Sequence, residues 1–137
     1  MTTTNKIKQA NRFKTIRAQH ELEAAEDYTE LILELSETKG EARIGEIASH
    51  LGISHVTAIR TVKRLQDEGF VVTSPHKPVA LTPKGKRIAA AAKERHQLLV
   101  RFFSRLGVPK EIAELDAEGC EHHISKFTLK KIAEFLK

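Results

Sequence analysis

Apolar residues recur at the spacing of an α-helix along most of the chain, and they alternate with other residues in one short stretch. The helical spacing predicts helices over residues 21–39, 43–50, 54–68, 83–106, 109–123 and 125–136, and the first of these can begin as early as about residue 13. The alternation predicts two short strands over residues 70–73 and 79–82. The chain is therefore predicted to be mainly α, with one small hairpin between its third and fourth helices.

The second and third helices have the pattern of a helix-turn-helix. Gly52 permits a tight turn between them, and Ser54 is a good N-cap for the third helix. On that helix Ala58, Val62 and Leu65 fall at i, i+4 and i+7 and are predicted to face inward. The opposite face is small, polar and basic, which is typical of a recognition helix. The alternative is an ordinary helix pair with a solvated, charged face.

The predicted hairpin directly follows this motif, as the wing does in a winged helix-turn-helix. Two prolines at its tip, Pro75 and Pro78, confine it to the edge of a sheet. On the recognition helix, Val56 suits a thymine methyl group and Arg60 suits a guanine edge, whereas Arg64 and the wing residue Lys77 suit phosphates. The predicted DNA-binding residues are Ser54, His55, Val56, Thr57, Arg60, Lys63, Arg64 and Lys77.

The order of the elements divides the chain into three parts. Residues 1–20 are expected to form a basic, partly disordered N-terminal extension, because they are polar and carry five basic residues and no acidic one. Residues 21–83 are predicted to form the winged helix-turn-helix DNA-binding domain. Residues 84–137 are predicted to form an all-helical domain, which suggests a unit that pairs with its own copy. We therefore expect a homodimer.

Composition limits the class of protein. The single cysteine rules out an internal disulfide and a cysteine-rich zinc site. No apolar run approaches the roughly 18 residues of a membrane span, and the polar N-terminus lacks the apolar core of a signal peptide. A cytoplasmic protein without a membrane partner is expected. Residues 43–105 carry twelve basic and four acidic residues, which suits binding to a polyanion such as DNA.

A candidate metal site lies near the end of the chain. If residues 116–123 are helical, Glu118, Glu121 and His122 fall at i, i+3 and i+4 on one face. Two carboxylates and an imidazole suit a divalent ion such as Mn²⁺, Fe²⁺ or Zn²⁺. Asp27 and Glu30 lie beside the apolar face of the first helix, where carboxylates need a partner. The alternative for all of these groups is a solvated, charged surface.

The order and spacing of these segments resemble the metal-dependent repressors of the diphtheria-toxin-repressor family. The likeness is closest to the short manganese-responsive branch, which lacks an SH3-like domain. The resemblance covers residues 24–137 and depends on residues 26–32, 48–65, 81–85, 95–99 and 116–123. It implies a winged helix-turn-helix domain followed by a helical domain for metal binding and dimerisation.

The resemblance also implies a set of metal ligands, namely Asp27, Glu30, His96, Glu118, Glu121 and His122. Four carboxylates and two neutral imidazoles balance the charge of two divalent ions, so two ions per subunit are expected. Iron-responsive relatives carry softer sulfur ligands at the positions of Asp27 and Glu118, and the hard oxygen ligands here favour Mn²⁺, with Fe²⁺ as the second candidate. Cys120 is expected to pack rather than ligate, and His123 is not among the implied ligands.

The implied function is that of a Mn²⁺-activated repressor. It would bind double-stranded, palindromic operator DNA as a homodimer and repress manganese-uptake genes when the ion is plentiful. The alternative is a winged-helix repressor controlled by Fe²⁺ or by a small organic ligand. A metal-dependent hydrolase with the same Glu/His cluster is a further rival. An enzyme is not expected, because no nucleophile–base pair is evident.

Overall fold

The computed structural model describes residues 3–137, with every side chain except that of Gln19. Its helices are α1 (Thr3–Lys39), α2 (Ile44–Leu51), α3 (His55–Asp67), α4 (Pro83–Arg105), α5 (Lys110–Cys120) and α6 (Lys126–Phe135). A 3₁₀ turn over Glu121–His123 joins α5 to α6. The strands β1 (Val71–Val72) and β2 (Ala80–Leu81) pair antiparallel. Within residues 3–137, no helix is both long enough and apolar enough to cross a membrane.

Helix α1 is much longer than its apolar pattern predicts. It begins at Thr3, before the predicted start between about residues 13 and 21, so residues 3–20 are helical; residues 1 and 2 lie outside the described part. This segment contains no glycine or proline and is rich in Lys, Arg, Gln and Ala, which favour helix. All its described side chains are exposed. The apolar pattern misses it because it buries no face.

The predicted helix-turn-helix is confirmed. Gly52 has φ 65°, a left-handed conformation that favours glycine, and it turns the chain from α2 into α3. Ser54 caps α3, because its Oγ accepts a hydrogen bond from the Thr57 N–H at 3.1 Å. The inward-facing residues of α3 are buried as predicted: Ala58, Val62 and Leu65. The opposite face of α3 is left to the solvent.

The wing packs beside this motif and shares its core. Val71 pairs with Leu81 and Val72 with Ala80, and an isolated bridge between Ala42 and Val79 extends the ladder. The core beneath consists of Ala25, Tyr28, Ile32, Leu35, Ala42, Ile47, Val62, Leu65, Val71 and Val79. Four of these residues belong to α1. The second half of α1 is therefore an integral part of the DNA-binding half of the chain.

Helix α4 links this half to the C-terminal helices. Thr82 caps it, since the Thr82 Oγ1 accepts a hydrogen bond from the Gly85 N–H at 3.1 Å, and Pro83 occupies its first turn. The helix packs against α1, α5 and α6. Four fully buried alanines on α4 and α5 allow close helix packing: Ala89, Ala92, Ala113 and Ala117. Helix α4 thus packs closely against both α1 and α5, and all three helices carry candidate metal ligands.

Gly85 occupies a position where a side chain has no room. A Cβ at this position would overlap the carbonyl oxygen of Phe70 and would lie 3.2 Å from the Leu81 Cδ2. The carbonyl cannot move away freely, because it accepts a hydrogen bond from the Thr82 N–H at 3.1 Å. We expect Gly85→Ala to lower the free energy of unfolding by about 1–3 kcal/mol or more, as overpacking does. Urea denaturation of the metal-free protein measures this.

The matched control is Gly45→Ala in α2. A Cβ there meets nothing within 4 Å. This substitution is expected to raise the free energy of unfolding by up to about 1 kcal/mol, because alanine favours helix more than glycine does. Equal effects of the two substitutions would contradict the close approach at Gly85.

Candidate metal centre and DNA-binding surface

The six predicted metal ligands come from three parts of the fold. Asp27 and Glu30 lie one turn apart on α1, and His96 lies on α4. Glu118 belongs to the last turn of α5, whereas Glu121 and His122 lie on the 3₁₀ turn that follows. The sequence predicts one continuous helix through residue 123, but α5 ends at Cys120. Gly119, a weak helix former, immediately precedes this end.

The first group of side chains lies between α1 and the 3₁₀ turn. The His122 Nε2 is 3.0 Å from the Asp27 Oδ1. Glu23, Asp27 and His122 each offer one ligand atom, and these atoms lie within 4.8 Å of one another. Two carboxylates and an imidazole at this separation are able to converge on one divalent cation.

The second group lies between α4 and the end of α5. The His96 Nδ1 is 2.7 Å from the Glu121 Oε2 and 3.5 Å from the Glu118 Oε2. The ligand atoms of His96, Glu118 and Glu121 also lie within 4.8 Å of one another. This group again offers two carboxylates and one imidazole.

Glu121 connects the two groups. Its Oε2 faces His96, whereas its Oε1 lies 3.3 Å from the His122 Nε2. The side chain is fully buried, and its Oε1 makes no hydrogen bond with any described residue. A buried carboxylate oxygen without a donor is costly unless a cation lies nearby. The residues around Glu121 therefore fit a divalent cation.

The pKa values of these groups reflect how strongly the negative charges crowd together. Burial, with the neighbouring charges of Glu118 and Glu30, raises the pKa of Glu121 to about 7. Burial and the charge of Glu118 also raise the pKa of Glu30, although Glu30 belongs to neither group of three. Without a cation, Glu121 is thus partly protonated near neutral pH, and a metal ion would displace that proton.

The two histidines respond in the same direction. Burial alone would lower the pKa of His96, but hydrogen bonds to Glu114 and Glu121 outweigh it and raise the pKa above its ordinary value. For His122, burial is likewise outweighed by the hydrogen bond and charge of Asp27. Both imidazoles are therefore prone to carry a second proton in the metal-free protein.

These shifts predict how the stability of the metal-free protein depends on pH. Glu121, His96 and His122 bind protons more tightly in the folded chain than in the unfolded one. The stability that these protons contribute is then lost as the pH rises from about 4.5 through about 7 for Glu121, and above 6.5 for the histidines. We expect the melting temperature without metal to be lower at pH 8 than at pH 6 by about 5 °C or more. Thermal melting followed by circular dichroism measures this.

Saturating Mn²⁺ is expected to reverse the trend, because the deprotonated ligands bind the ion. The matched variant is Glu121→Gln, which removes one titrating group and should flatten the metal-free profile. A metal-free melting temperature that rises between pH 6 and pH 8 would contradict the assignment.

Several residues around the site are not found by sequence reasoning. Glu23 lies in the first group, with its Oε2 3.3 Å from the His123 Nε2. Glu26 is buried between Arg95 and His122, and Glu114 contacts His96. One signal points to Glu26, because it falls between buried positions of the α1 apolar face and a carboxylate there requires a partner. No comparable signal points to the others.

Cys120 lies outside both groups. It is half-buried, and burial raises the pKa of its thiol. A protonated thiol is a poor metal ligand, since the thiolate is the ligand form. That Cys120 packs rather than ligates stays a prediction.

The candidate DNA-binding surface consists of α3 and the wing. All eight predicted DNA-binding residues are exposed: Ser54, His55, Val56, Thr57, Arg60, Lys63, Arg64 and Lys77. The hydroxyls of Ser54 and Thr57 lie 2.8 Å apart and take part in the cap of α3. Arg64 pairs loosely with Glu68, at 3.7 Å. The remaining side chains include the basic Arg60, Lys63 and Lys77 and the apolar Val56.

A groove separates α3 from the wing tip. It has a volume of about 640 Å³, and Ile44, Ile59, Lys63 and Lys77 are among the residues that line it. Ile59 is a large apolar residue that is 47% exposed, and the sequence prediction does not include it. It follows Val56 by three positions and so extends the same exposed apolar stripe along α3.

Two family descriptions match the chain. "Iron dependent repressor, N-terminal DNA binding domain" matches residues 22–79. "Iron dependent repressor, metal binding and dimerisation domain" matches residues 82–137. The first match contains the helix-turn-helix and most of the wing, and the second contains α4 and the 3₁₀ turn.

Individual proteins are also similar to this chain. The transcriptional regulator MntR of Salmonella typhimurium (strain LT2) is 43% identical over 123 residues, which are 90% of this chain and 78% of that protein. The HTH-type transcriptional regulator MntR of Geobacillus thermodenitrificans (strain NG80-2) is 36% identical over 112 residues, or 82% of this chain and 79% of that protein. Among solved structures, a manganese-dependent transcriptional repressor in complex with manganese matches with a TM-score of 0.74 and 31% identity.

That match covers 82% of this chain and 52% of the solved chain, so this chain spans about half the length of that protein. The two family matches agree with the division of the fold into a DNA-binding half and a metal-binding half. Sequence identity of 43% over most of the chain supports the same relationship. The chain therefore belongs to the iron-dependent repressor family, whose members are metal-dependent, DNA-binding transcriptional regulators and not enzymes.

Proposed function

We propose that this protein is a Mn²⁺-activated repressor. In this proposal it binds palindromic operator DNA as a homodimer, holds two ions per subunit, and represses manganese-uptake genes in the cytoplasm when Mn²⁺ is plentiful. The observation that carries the proposal is the position of Glu121, a buried carboxylate whose two oxygens face different histidines, each of which lies beside a further carboxylate. The names of the similar proteins, which call them MntR and manganese-dependent, support the choice of metal.

The chemistry of the ligands also supports Mn²⁺. The proposed ligands are Asp27, Glu30, His96, Glu118, Glu121 and His122. Hard oxygen donors with imidazole suit Mn²⁺ and Fe²⁺, whereas a thiolate would favour softer ions. Within residues 3–137 no group of three candidate ligands includes Cys120. Fe²⁺ is therefore the alternative activator that an experiment must compare.

The position of the ligands explains how an ion would act on DNA binding. Asp27 and Glu30 lie on α1, which also supplies part of the core under the recognition helix. His96, Glu118, Glu121 and His122 lie in the other half of the chain. When bound, the cations neutralise the mutual repulsion of these carboxylates. The protein then holds α1 against α4 and the 3₁₀ turn in one arrangement, which biases the equilibrium toward the DNA-competent state.

The homodimer is supported by apolar side chains left exposed in the C-terminal half. They are Leu106, Ile112, Leu115, Phe127 and Phe135, and each is at least half exposed. Clustered exposed apolar residues mark a protein interface. A twofold dimer would present two copies of α3 to two half-sites, which is why a palindromic operator is proposed.

The first test is DNA binding by the purified protein. The probe is promoter DNA from the manganese-uptake genes of the source genome, at fixed salt, with Mn²⁺, Fe²⁺, Zn²⁺ or a chelator. Tight binding with Mn²⁺ that a chelator reverses is the expected result. Binding that is independent of metal would contradict the sensor, and activation by Fe²⁺ alone would change the proposed metal.

The variant Glu118→Ala tests the site within the same assay. Glu118 is 62% exposed and contacts His96, so its loss should leave the fold and the dimer intact. We expect the Mn²⁺ concentration that gives half-maximal operator binding to rise by at least about tenfold, since a proposed ligand is lost. Unchanged metal dependence of operator binding would refute the ligand assignment of Glu118.

A further inference from the structure

Each histidine of the proposed metal site has its two ring nitrogens against different carboxylates. In His122 the Nε2 faces Asp27 at 3.0 Å, whereas the Nδ1 lies 3.0 Å from the Glu26 Oε2. In His96 the Nδ1 faces Glu121 at 2.7 Å, whereas the Nε2 lies 2.6 Å from the Glu114 Oε2. In both rings, one nitrogen faces proposed ligands and the other faces a carboxylate outside the ligand set.

Glu26 is held in place on its other side. Its side chain is 3% exposed, and Arg95 of α4 forms an ion pair with the same carboxylate oxygen. A carboxylate buried to this degree requires a cationic partner to remain ionised, and Arg95 supplies one. Glu26 is thereby kept as an acceptor for the Nδ1–H of His122. The chain Arg95–Glu26–His122 connects α4, α1 and the 3₁₀ turn.

Glu114 makes the equivalent contact with the His96 ring, but its side chain is more exposed than that of Glu26. It lies on α5 one turn before Glu118, and its side chain is 46% exposed. Because it contacts the nitrogen of His96 opposite to the one that faces Glu118 and Glu121, it lies on the far side of the ring from the proposed ion. Its carboxylate is therefore placed to accept a ring N–H.

We propose that Glu26 and Glu114 are positioning residues for the two metal-binding histidines, a role that rests on the proposed function. An imidazole that binds a cation through one nitrogen carries its proton on the other. A carboxylate at that proton fixes the tautomer and the plane of the ring and makes the ligand nitrogen more basic. Glu26 would then direct the His122 Nε2 to the first ion, and Glu114 would direct the His96 Nδ1 to the second.

Mn²⁺ affinity provides the first readout, measured from the free-ion signal in electron paramagnetic resonance of the full chain. Loss of an outer partner of this kind costs roughly 10–100-fold in affinity, which is the effect expected for Glu114→Ala. Glu114→Gln keeps an oxygen that accepts the ring N–H, so it should recover most of the affinity. Glu111→Ala, at an exposed position on the same helix, is the matched control and should bind Mn²⁺ like the wild type.

Glu26 is tested in the same way, with attention to folding. Glu26→Ala leaves the Arg95 charge without its carboxylate, so the variant is expected to be less stable. Glu26→Gln keeps the volume and the acceptor oxygen. Recovery of affinity by Gln relative to Ala, compared at temperatures where both are folded, supports positioning, whereas equal loss in both would overturn it for Glu26.

The position of the ring protons provides the second readout. Cd²⁺ is diamagnetic, so the Cd²⁺-loaded protein with ¹⁵N-labelled histidine allows each ring nitrogen to be observed by NMR. We expect the metal on Nε2 and the proton on Nδ1 in His122, and the reverse in His96. In Glu114→Ala the His96 ring proton should exchange faster with water while the His122 proton is unchanged.

The outcomes distinguish a failure of the metal site from a failure of the positioning roles. If the wild type binds neither Mn²⁺ nor Cd²⁺, the metal site itself is refuted and the positioning roles fall with it. If the wild type binds metal but an alanine variant matches its affinity, the positioning role of that residue is refuted and the metal site stands. Metal on the His96 Nε2 would refute the role of Glu114.

Discussion

Replacing Glu121 with alanine is expected to abolish Mn²⁺ binding at both positions of the proposed site. The two oxygens of this carboxylate face different histidines, so its loss removes a ligand from both proposed ion positions. The affinity loss should exceed the roughly 10–100-fold that follows removal of an outer hydrogen-bond partner. Titration calorimetry with Mn²⁺ measures the stoichiometry, which should fall from two ions per subunit to none. Operator binding should lose its response to Mn²⁺ in parallel.

The stability of the metal-free variant provides a built-in control. Glu121 is buried, and its Oε1 lacks a hydrogen bond within the described chain. Its removal should therefore not destabilise the metal-free fold at pH 8. The loss of a buried, unpaired charge raises the stability, and the cavity left behind offsets part of that increase. The proposal is supported if Glu121→Ala has the melting temperature of the wild type without Mn²⁺ and does not become more stable when Mn²⁺ is added. One ion still bound with wild-type affinity would contradict the shared ligand.

The double substitution Ile112→Asp and Leu115→Asp is expected to separate the proposed dimer. These residues lie three apart on α5 and are 50% and 73% exposed, so charges there should leave the monomer folded. Linked binding of two half-sites typically exceeds single-site affinity by about 10²–10⁴-fold, and the monomer should lose this gain. Sedimentation velocity gives the oligomeric state, and operator binding at saturating Mn²⁺ gives the affinity.

The matched control is the volume-conserving pair Ile112→Leu and Leu115→Met, which keeps the surface apolar. It should sediment as a dimer and bind the operator like the wild type. Mn²⁺ binding should persist in both variants, because neither residue belongs to the ligand set. A charged variant that remains dimeric would exclude this face of α5 from the interface.

Periodicity predicts the DNA-binding half well because each of its helices has its own buried face at helical spacing. Ala58, Val62 and Leu65 repeat at helical spacing and are buried together, and Gly52 and Ser54 have conformational roles that any helix-turn-helix requires. The boundaries of α1 and α5 are predicted less well. The start of α1 buries nothing, and the end of α5 depends on how the 3₁₀ turn meets α1 and α4.

Some residues of the candidate site are likewise predicted by the sequence, whereas others are not. Glu118, Glu121 and His122 are close in sequence, so their spacing alone indicates a cluster. The contact between Glu26 and His122 joins residues 96 positions apart, and the one between His96 and Glu114 joins residues 18 apart. Such contacts arise only from tertiary packing, which a hydrophobic pattern does not encode. The carboxylates that hold the rings are for this reason the part of the site that sequence reasoning misses.

The continuity of α1 has a geometric consequence. A helix of 37 residues is about 55 Å long, and Asp27 divides it into arms of about 36 Å and about 18 Å. If metal binding rotated α1 by about 10° about Asp27, the end of the shorter arm would move by about 3 Å and the end of the longer arm by about 6 Å. The shorter arm is packed into the core beneath the wing and the recognition helix. Because the recognition helix and the wing share that core, a rotation of this size would displace the DNA-binding surface by about 3 Å.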